Sequence, residues 1–190
     1  EFMSIEEKQN SLTYQDSDNN IEYPQNEKEV SSFIKKNYKS SISIEWIGSG
    51  SKRKMGKTLQ CTKTLSTSKL NGIVEYLPKE LYIKVKAGTL IKEIEEELKK
   101  NNQQLAFEPI DFGYFLNGKS DYGTAAGQVA CNISGSRRFK VGSVRDHVLG
   151  FRGIVRKGFW KVWNCGENRR KKFQKFSGAD SSGGEFFETF

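Results

Sequence analysis

Histidine occurs once in these 190 residues, at His147, and cysteine and proline occur three times each. Each scarcity excludes a class of protein. Cys61, Cys131 and Cys165 are far apart, odd in number and form no CxxC pair. With one histidine, they supply neither a disulfide framework nor the ligand spacing of a zinc site. Unpaired thiols fit a reducing, cytoplasmic setting. No apolar run is longer than a few residues, so the pattern holds no membrane span. The opening Glu1-Phe2-Met3 lacks the apolar segment of a secretory leader and reads as a cloning remnant, with the native start at Met3. No GxxxxGK[ST] is present, and no GxGxxG opens a helix after the first strand, so a P-loop and a Rossmann site both fail. Apolar residues are only 35% of the chain, which predicts that part of it is poorly ordered.

Glycine and positive charge are what the chain has in quantity. The net charge is +8, which favours acidic or phosphorylated partners. From Asp121 to Gly150 there are five glycines, at 123, 127, 135, 142 and 150, with Thr124, Ala125, Ala126, Ala130 and Ser134 among them. Arg137, Arg138 and Arg145 follow. Small residues let a backbone approach a ligand, and N–H groups and cations suit a phosphate. A tightly packed, turn-rich core segment accounts for the same pattern, and both readings stay open here.

The remaining pattern is mixed α and β. Residues 1–23 are polar and aperiodic and read as a flexible lead-in. Asn26-Glu27-Lys28-Glu29 resembles a capped helix start, and Val30, Phe33 and Ile34 continue it over about 27–37. Ser41–Ile47 alternates as a strand, with Ile42, Ile44 and Trp46 on one face, and runs into Gly48-Ser49-Gly50-Ser51-Lys52. That glycine loop after a strand is a weak phosphate signal by itself. Thr62–Thr67, Gly72–Leu77 and Leu81–Lys86 read as strands, the last with Leu81, Ile83 and Val85 on one face. Gly88-Thr89 opens a helix whose apolar stripe is Leu90, Ile91, Ile94 and Leu98. Gln103–Phe107 reads as a strand, Glu108–Asp121 as a long loop containing Pro109, Thr124–Ile133 as a helix with free N–H groups at its start, and Val148–Val155 as a final strand. The order predicts an α+β fold rather than a βαβ series.

Three blocks carry a family resemblance. They are Ile47-Gly48-Ser49-Gly50-Ser51-Lys52 with Gly56; Leu65-Ser66-Thr67 through Leu70-Asn71-Gly72-Ile73 and Val85-Lys86-Ala87-Gly88-Thr89; and Gly123-Thr124-Ala125-Ala126-Gly127 with Ser134-Gly135, Gly142-Ser143-Val144-Arg145-Asp146 and Val148-Leu149-Gly150. Together they resemble the FAD-binding domain of the vanillyl-alcohol oxidase / p-cresol methylhydroxylase (PCMH) type, and within it the FAD-binding E subunits of bacterial glycolate oxidases. The resemblance implies two small α+β lobes over residues 24–155 with FAD stretched between them. It implies that Gly48, Ser49, Gly50, Ser51 and Lys52 hold the pyrophosphate, and that Gly123, Thr124, Ala125, Ala126 and Gly127 lie against the cofactor from the other side. Gly88, Pro109, Ala130, Ser134, Gly135 and Gly142 complete the implied set, with Arg145 and Asp146. Arg145 pairs with Asp146 or aids the dinucleotide; a buried Arg145–Asp146 bridge that shapes the turn is the structural alternative. His147 reads as structural. Covalent flavin attachment in the family uses a histidine of the first loop, and residues 48–56 have none, so binding is expected to be noncovalent.

Ala126 stands where the family has the first of two glycines. The similarity ends near Val155, before the family's further strands and its substrate-binding cap. Residues 156–190 read as a divergent, poorly ordered basic tail, as from a truncated or frame-shifted gene. The implied activity is flavin-dependent oxidation of a 2-hydroxy acid such as glycolate, alongside flavoprotein and iron–sulfur subunits, with no catalytic base assignable. Two rivals remain: a cofactor-free interaction subunit or remnant, and a nucleic-acid binder. For the latter, residues 136–176 hold 13 Lys and Arg against two acids, interleaved with Phe139, Phe151, Phe159, Trp160, Trp163 and Phe173, but no nucleic-acid motif.

Overall fold

The computed structural model describes residues 21–55, 61–118, 123–155 and 157–164. The expectations for residues 1–20, Gly56, and the tail from Cys165 lie outside them.

Helix α1, Glu27–Lys39, begins where the sequence places it. Asn26 Oδ1 accepts from Glu29 N at 3.0 Å, and the Glu29 carboxylate accepts from Gln25 N at 2.7 Å and Asn26 Nδ2 at 2.6 Å. Each end of the box fills an otherwise orphaned donor. Val30, Phe33 and Ile34 face a parallel sheet of β1 (Ile21–Glu22), β3 (Lys63–Ser66) and β2 (Ile44–Ile47), in that spatial order. Fully buried Leu65 of the central strand packs there with Leu70, Ala87 and Ile154. A buried leucine of this kind contributes about 1.5–3 kcal/mol. The strand at Ile21–Glu22 pairs with β3, within the stretch expected as a flexible lead-in.

The second cluster belongs to a hairpin. β4 (Ile73–Leu77) and β5 (Tyr82–Val85) are antiparallel and joined by a 3-10 turn at Pro78–Glu80. Ile83 and Val85 face inward onto Ile91, Ile94 and Leu98 of helix α2, Ile91–Lys99. Leu81 does not share that face: it ends the turn in the left-handed region, φ 54°, and is 78% exposed. The turn takes Leu81 out of the alternation that the sequence suggested.

Two further expectations are corrected. Residues 103–107 form no strand. The Gln103 side chain is held by Tyr76 Oη at 2.7 Å and by the Pro78 carbonyl at 2.8 Å, and a turn from Leu105 to Glu108 breaks the extended line. Side-chain bonds and the burial of Phe107 replace the ladder. The long loop from Glu108 contains helix α3, Phe112–Asn117, capped by Asp111 and stopped by left-handed Gly118. Asp and Gly at those positions were readable start and stop signals.

Helix α4, Ala125–Cys131, ends at left-handed Asn132. Short helices α5 (Arg138–Val141) and α6 (Val144–His147) follow, then β6 (Gly150–Ile154) paired antiparallel with β7 (Trp160–Asn164). Phe107, Val144, Val148 and Phe151 form a third cluster. β7 falls in the stretch expected as a tail. Gly158 just before it is anchored on α1, where Ser31 Oγ donates to the Gly158 carbonyl at 2.8 Å. Arg152 on β6 pairs with Glu27. Among the described residues, no helix is long and apolar enough to cross a membrane.

Candidate cofactor site

The glycine loop leaves β2 tied by hydrogen bonds to the neighbouring strand's end. At its entrance, Thr67 N donates to the Ile47 carbonyl at 2.9 Å and Ser66 Oγ to the Gly48 carbonyl at 2.7 Å. Gly50 lies at φ 82°, which a side chain rarely adopts, and turns close from Arg53 N to Gly50 O and from Met55 N to Lys52 O. A Cβ on Gly48 would overlap the Thr124 hydroxyl, so the two glycine-rich blocks, 76 residues apart at 48 and 124, touch here. Gly127 faces the same hydroxyl, and Lys52 Nζ lies 3.8 Å from where a Cβ on Gly127 would sit. The half-buried Lys52 ammonium has no acceptor among the described residues, and neither has the N–H of Gly50 or Lys52.

Helix α4 differs from its expectation. Its first N–H groups are not free: Ala125 N donates to the Thr89 carbonyl at 2.8 Å, Ala126 N to the Ala87 carbonyl at 3.0 Å and Gly127 N to Thr124 Oγ1 at 3.3 Å. The Ala87-Gly88-Thr89 turn therefore plugs the helix end. Gly123 is structural as well, since its carbonyl caps Ile91 N of α2 at 2.9 Å. Among the described residues, the Lys52 ammonium and the N–H groups of Gly50 and Lys52, rather than the helix terminus, carry the donors without an acceptor.

The other implied residues form a separate group. Ser134 Oγ accepts from Val144 N at 2.9 Å, and Gly135 packs on Glu108, next to Pro109. Ala130 is exposed on α4. Gly142, at φ 90°, adjoins Asp146, whose Oδ2 accepts from Ser143 N and Ser143 Oγ, both at 2.8 Å. The alternative of a buried Arg145–Asp146 bridge is corrected: both residues are exposed, and the carboxylate caps α6 instead. His147 is structural, with Nε2 at 3.0 Å from the Val141 carbonyl and its ring against Phe107.

The Ser143 backbone and hydroxyl hydrogen bonds, with Arg145 and His147 adding, hold the Asp146 carboxyl below its ordinary value of 3.8. A depressed pKa contributes stability that is full above the unfolded value and fades as pH falls through the folded one. Asp146→Asn is therefore expected to melt below the parent at neutral pH, with the gap closing below about pH 3.8. Melting curves of both proteins between pH 6 and about 2.5 check this; a gap that does not change with pH contradicts it.

Sequence reasoning missed one element of the site. Glu45, on the face of β2 opposite Ile44 and Trp46, is buried and accepts from Arg53 Nε at 3.1 Å, Arg53 Nη2 at 2.8 Å and Thr64 Oγ1 at 3.0 Å. A carboxylate eight residues before an arginine across a glycine loop was the only signal.

A glycine loop closed on itself, a small-residue helix packed against it, and a cation with no partner among the described residues fit a dinucleotide phosphate, and the fold around them is that of a flavin-binding domain. Residues 20–162 match the FAD binding domain family, and the chain belongs to it as a PCMH-type domain. The chain is 40% identical over 111 residues to the glycolate oxidase subunit GlcE of Escherichia coli K12, covering 58% of this chain and 29% of that protein. Two crystal structures of alkyldihydroxyacetonephosphate synthase, in P1 and P212121 forms, each share the fold over 89% of this chain with a TM-score of 0.65 at 21% and 19% identity. The chain spans about a third of the length of each of these proteins, 32% and 30% for the two structures.

Proposed function

We propose that the chain is the flavin-binding part of an FAD-dependent oxidoreductase acting on a 2-hydroxy acid of the glycolate type. The observation that carries the reading is the convergence of Gly48 and Gly127 on Thr124 beside the Lys52 ammonium, which has no acceptor among the described residues. Lys52 and the Gly50 and Lys52 N–H groups hold the pyrophosphate, and Gly48 lets the loop close against Thr124. FAD is held noncovalently. Bound flavin supplies the two-electron redox chemistry, and the protein supplies position and electrostatics. Asp146 and His147 are engaged in capping and packing bonds, so neither is assigned as a base. The similarity to a glycolate oxidase subunit favours glycolate-type substrates and an assembly with flavoprotein and iron–sulfur subunits. The rival nucleic-acid reading loses one of its aromatics, because Phe151 lies in the core at 5% exposure.

Lys52→Met is expected to weaken FAD binding by about 10- to 100-fold, the value of a charge-assisted bond to phosphate, with a smaller loss at high salt. Quenching of FAD fluorescence measures it; equal affinities contradict the placement. FAD-loaded protein supplied with an artificial electron acceptor is expected to oxidise glycolate or a close 2-hydroxy acid, and acceptor reduction by none of a series of such acids contradicts the substrate class.

A further inference from the structure

We infer that Arg53 is a positioning residue for the pyrophosphate loop, acting through Lys52; the inference rests on the reading just given. β2 and β3 run parallel with Glu45 directly beside Thr64, so both side chains lie on the sheet face opposite Trp46 and Leu65, which join the α1 cluster. The chain leaves that sheet at Ile47, makes the glycine loop and returns to place the Arg53 guanidinium on the Glu45 carboxylate through two hydrogen bonds, at 3.1 and 2.8 Å. Thr64 Oγ1 fills a further position on Glu45 at 3.0 Å. The Arg53 and Glu45 side chains are 13% and 10% exposed, so the pair is shielded from solvent competition.

The loop is thereby fixed at both ends. Ile47 and Gly48 are bonded to β3, and Arg53 is bonded back to β2. Lys52 sits between these anchors, immediately before the guanidinium. A flexible lysine alone would spend conformational entropy to meet a phosphate. The two-point fork of arginine holds one geometry, which lysine at the same place cannot reproduce. Gly50, at φ 82°, supplies the turn that lets a five-residue excursion from Gly48 to Lys52 close.

The test is a double-mutant cycle on FAD affinity, using Lys52→Met, Arg53→Met and both together in the full chain. Arg53→Met is expected to lose about tenfold alone and almost nothing further in the Lys52→Met background, because the two act as one unit. Additive losses overturn the inference, as does unchanged affinity in Arg53→Met. Arg53→Lys and Thr64→Val serve where Arg53→Met does not fold. Arg53→Lys is expected to lose affinity despite keeping the charge, and Thr64→Val to lose less; full affinity in Arg53→Lys overturns the inference. Failure of the parent chain to bind FAD marks failure of the underlying reading, whereas a binding parent with additive variants marks failure of the Arg53 role alone.

Discussion

Gly88→Ala is expected to be among the most damaging single substitutions, costing about 3 kcal/mol or more. An alanine Cβ there would overlap the Thr67 carbonyl oxygen and lie 2.9 Å from its carbon and 3.0 Å from the Leu70 carbonyl. All three are backbone atoms held by their own bonds, Leu70 N to Thr67 O at 2.8 Å and Gly88 N to Leu70 O at 2.7 Å, so none can swing aside. The turn cannot shift alone, because Ala87 and Thr89 accept the first N–H groups of α4. Loss of stability should therefore come with loss of FAD affinity. Gly123→Ala is the control: among the described residues its Cβ would meet only Ile91 Cγ1 at 3.9 Å, an ordinary contact. Denaturant unfolding of the two variants checks the difference; equal stability contradicts the packing account.

Glu45→Leu is expected to cost about 3 kcal/mol, because it removes the carboxylate that accepts two hydrogen bonds from Arg53 and one from the Thr64 hydroxyl in a largely buried site. Glu45→Leu/Arg53→Leu should be the more stable of the two variants, since removing both charges removes the desolvation cost with them. The same removal frees the loop, so stability is recovered and FAD affinity is not. Unfolding midpoints and FAD titrations of both variants separate these effects; a double variant no more stable than Glu45→Leu contradicts them. Burial and the Glu45 charge raise the Cys61 thiol pKa, so Cys61 should also alkylate faster in Glu45→Leu.

Much of the fold was legible because its signals are local. Helix α1 announced itself through Asn26 and Glu29, and β5 through Ile83 and Val85. The misses have a common physical form. Leu81 and residues 103–107 matched a strand period, yet a left-handed turn and side-chain bonds decided their conformation. At the site, glycine identity marked where the backbone comes close but not what it meets. Gly48 meets Thr124, Gly88 meets Thr67, and Gly142 meets Asp146, three different partners that only tertiary structure chooses. The helix start at Thr124 looked open in sequence and is plugged by carbonyls from a turn some 35 residues earlier, between 87 and 89. The burial of Glu45 was not legible, because strand alternation places it opposite Ile44 and Trp46 but cannot foresee an arginine folding back over the sheet.

The central claim is that this domain closes a working FAD site around Lys52. It is tested most directly by titrating the purified chain with FAD and following flavin fluorescence and the visible spectrum. Saturable quenching with a one-to-one endpoint, weakened in Lys52→Met, is the predicted result. A colourless protein that leaves FAD fluorescence unchanged at every concentration would contradict it.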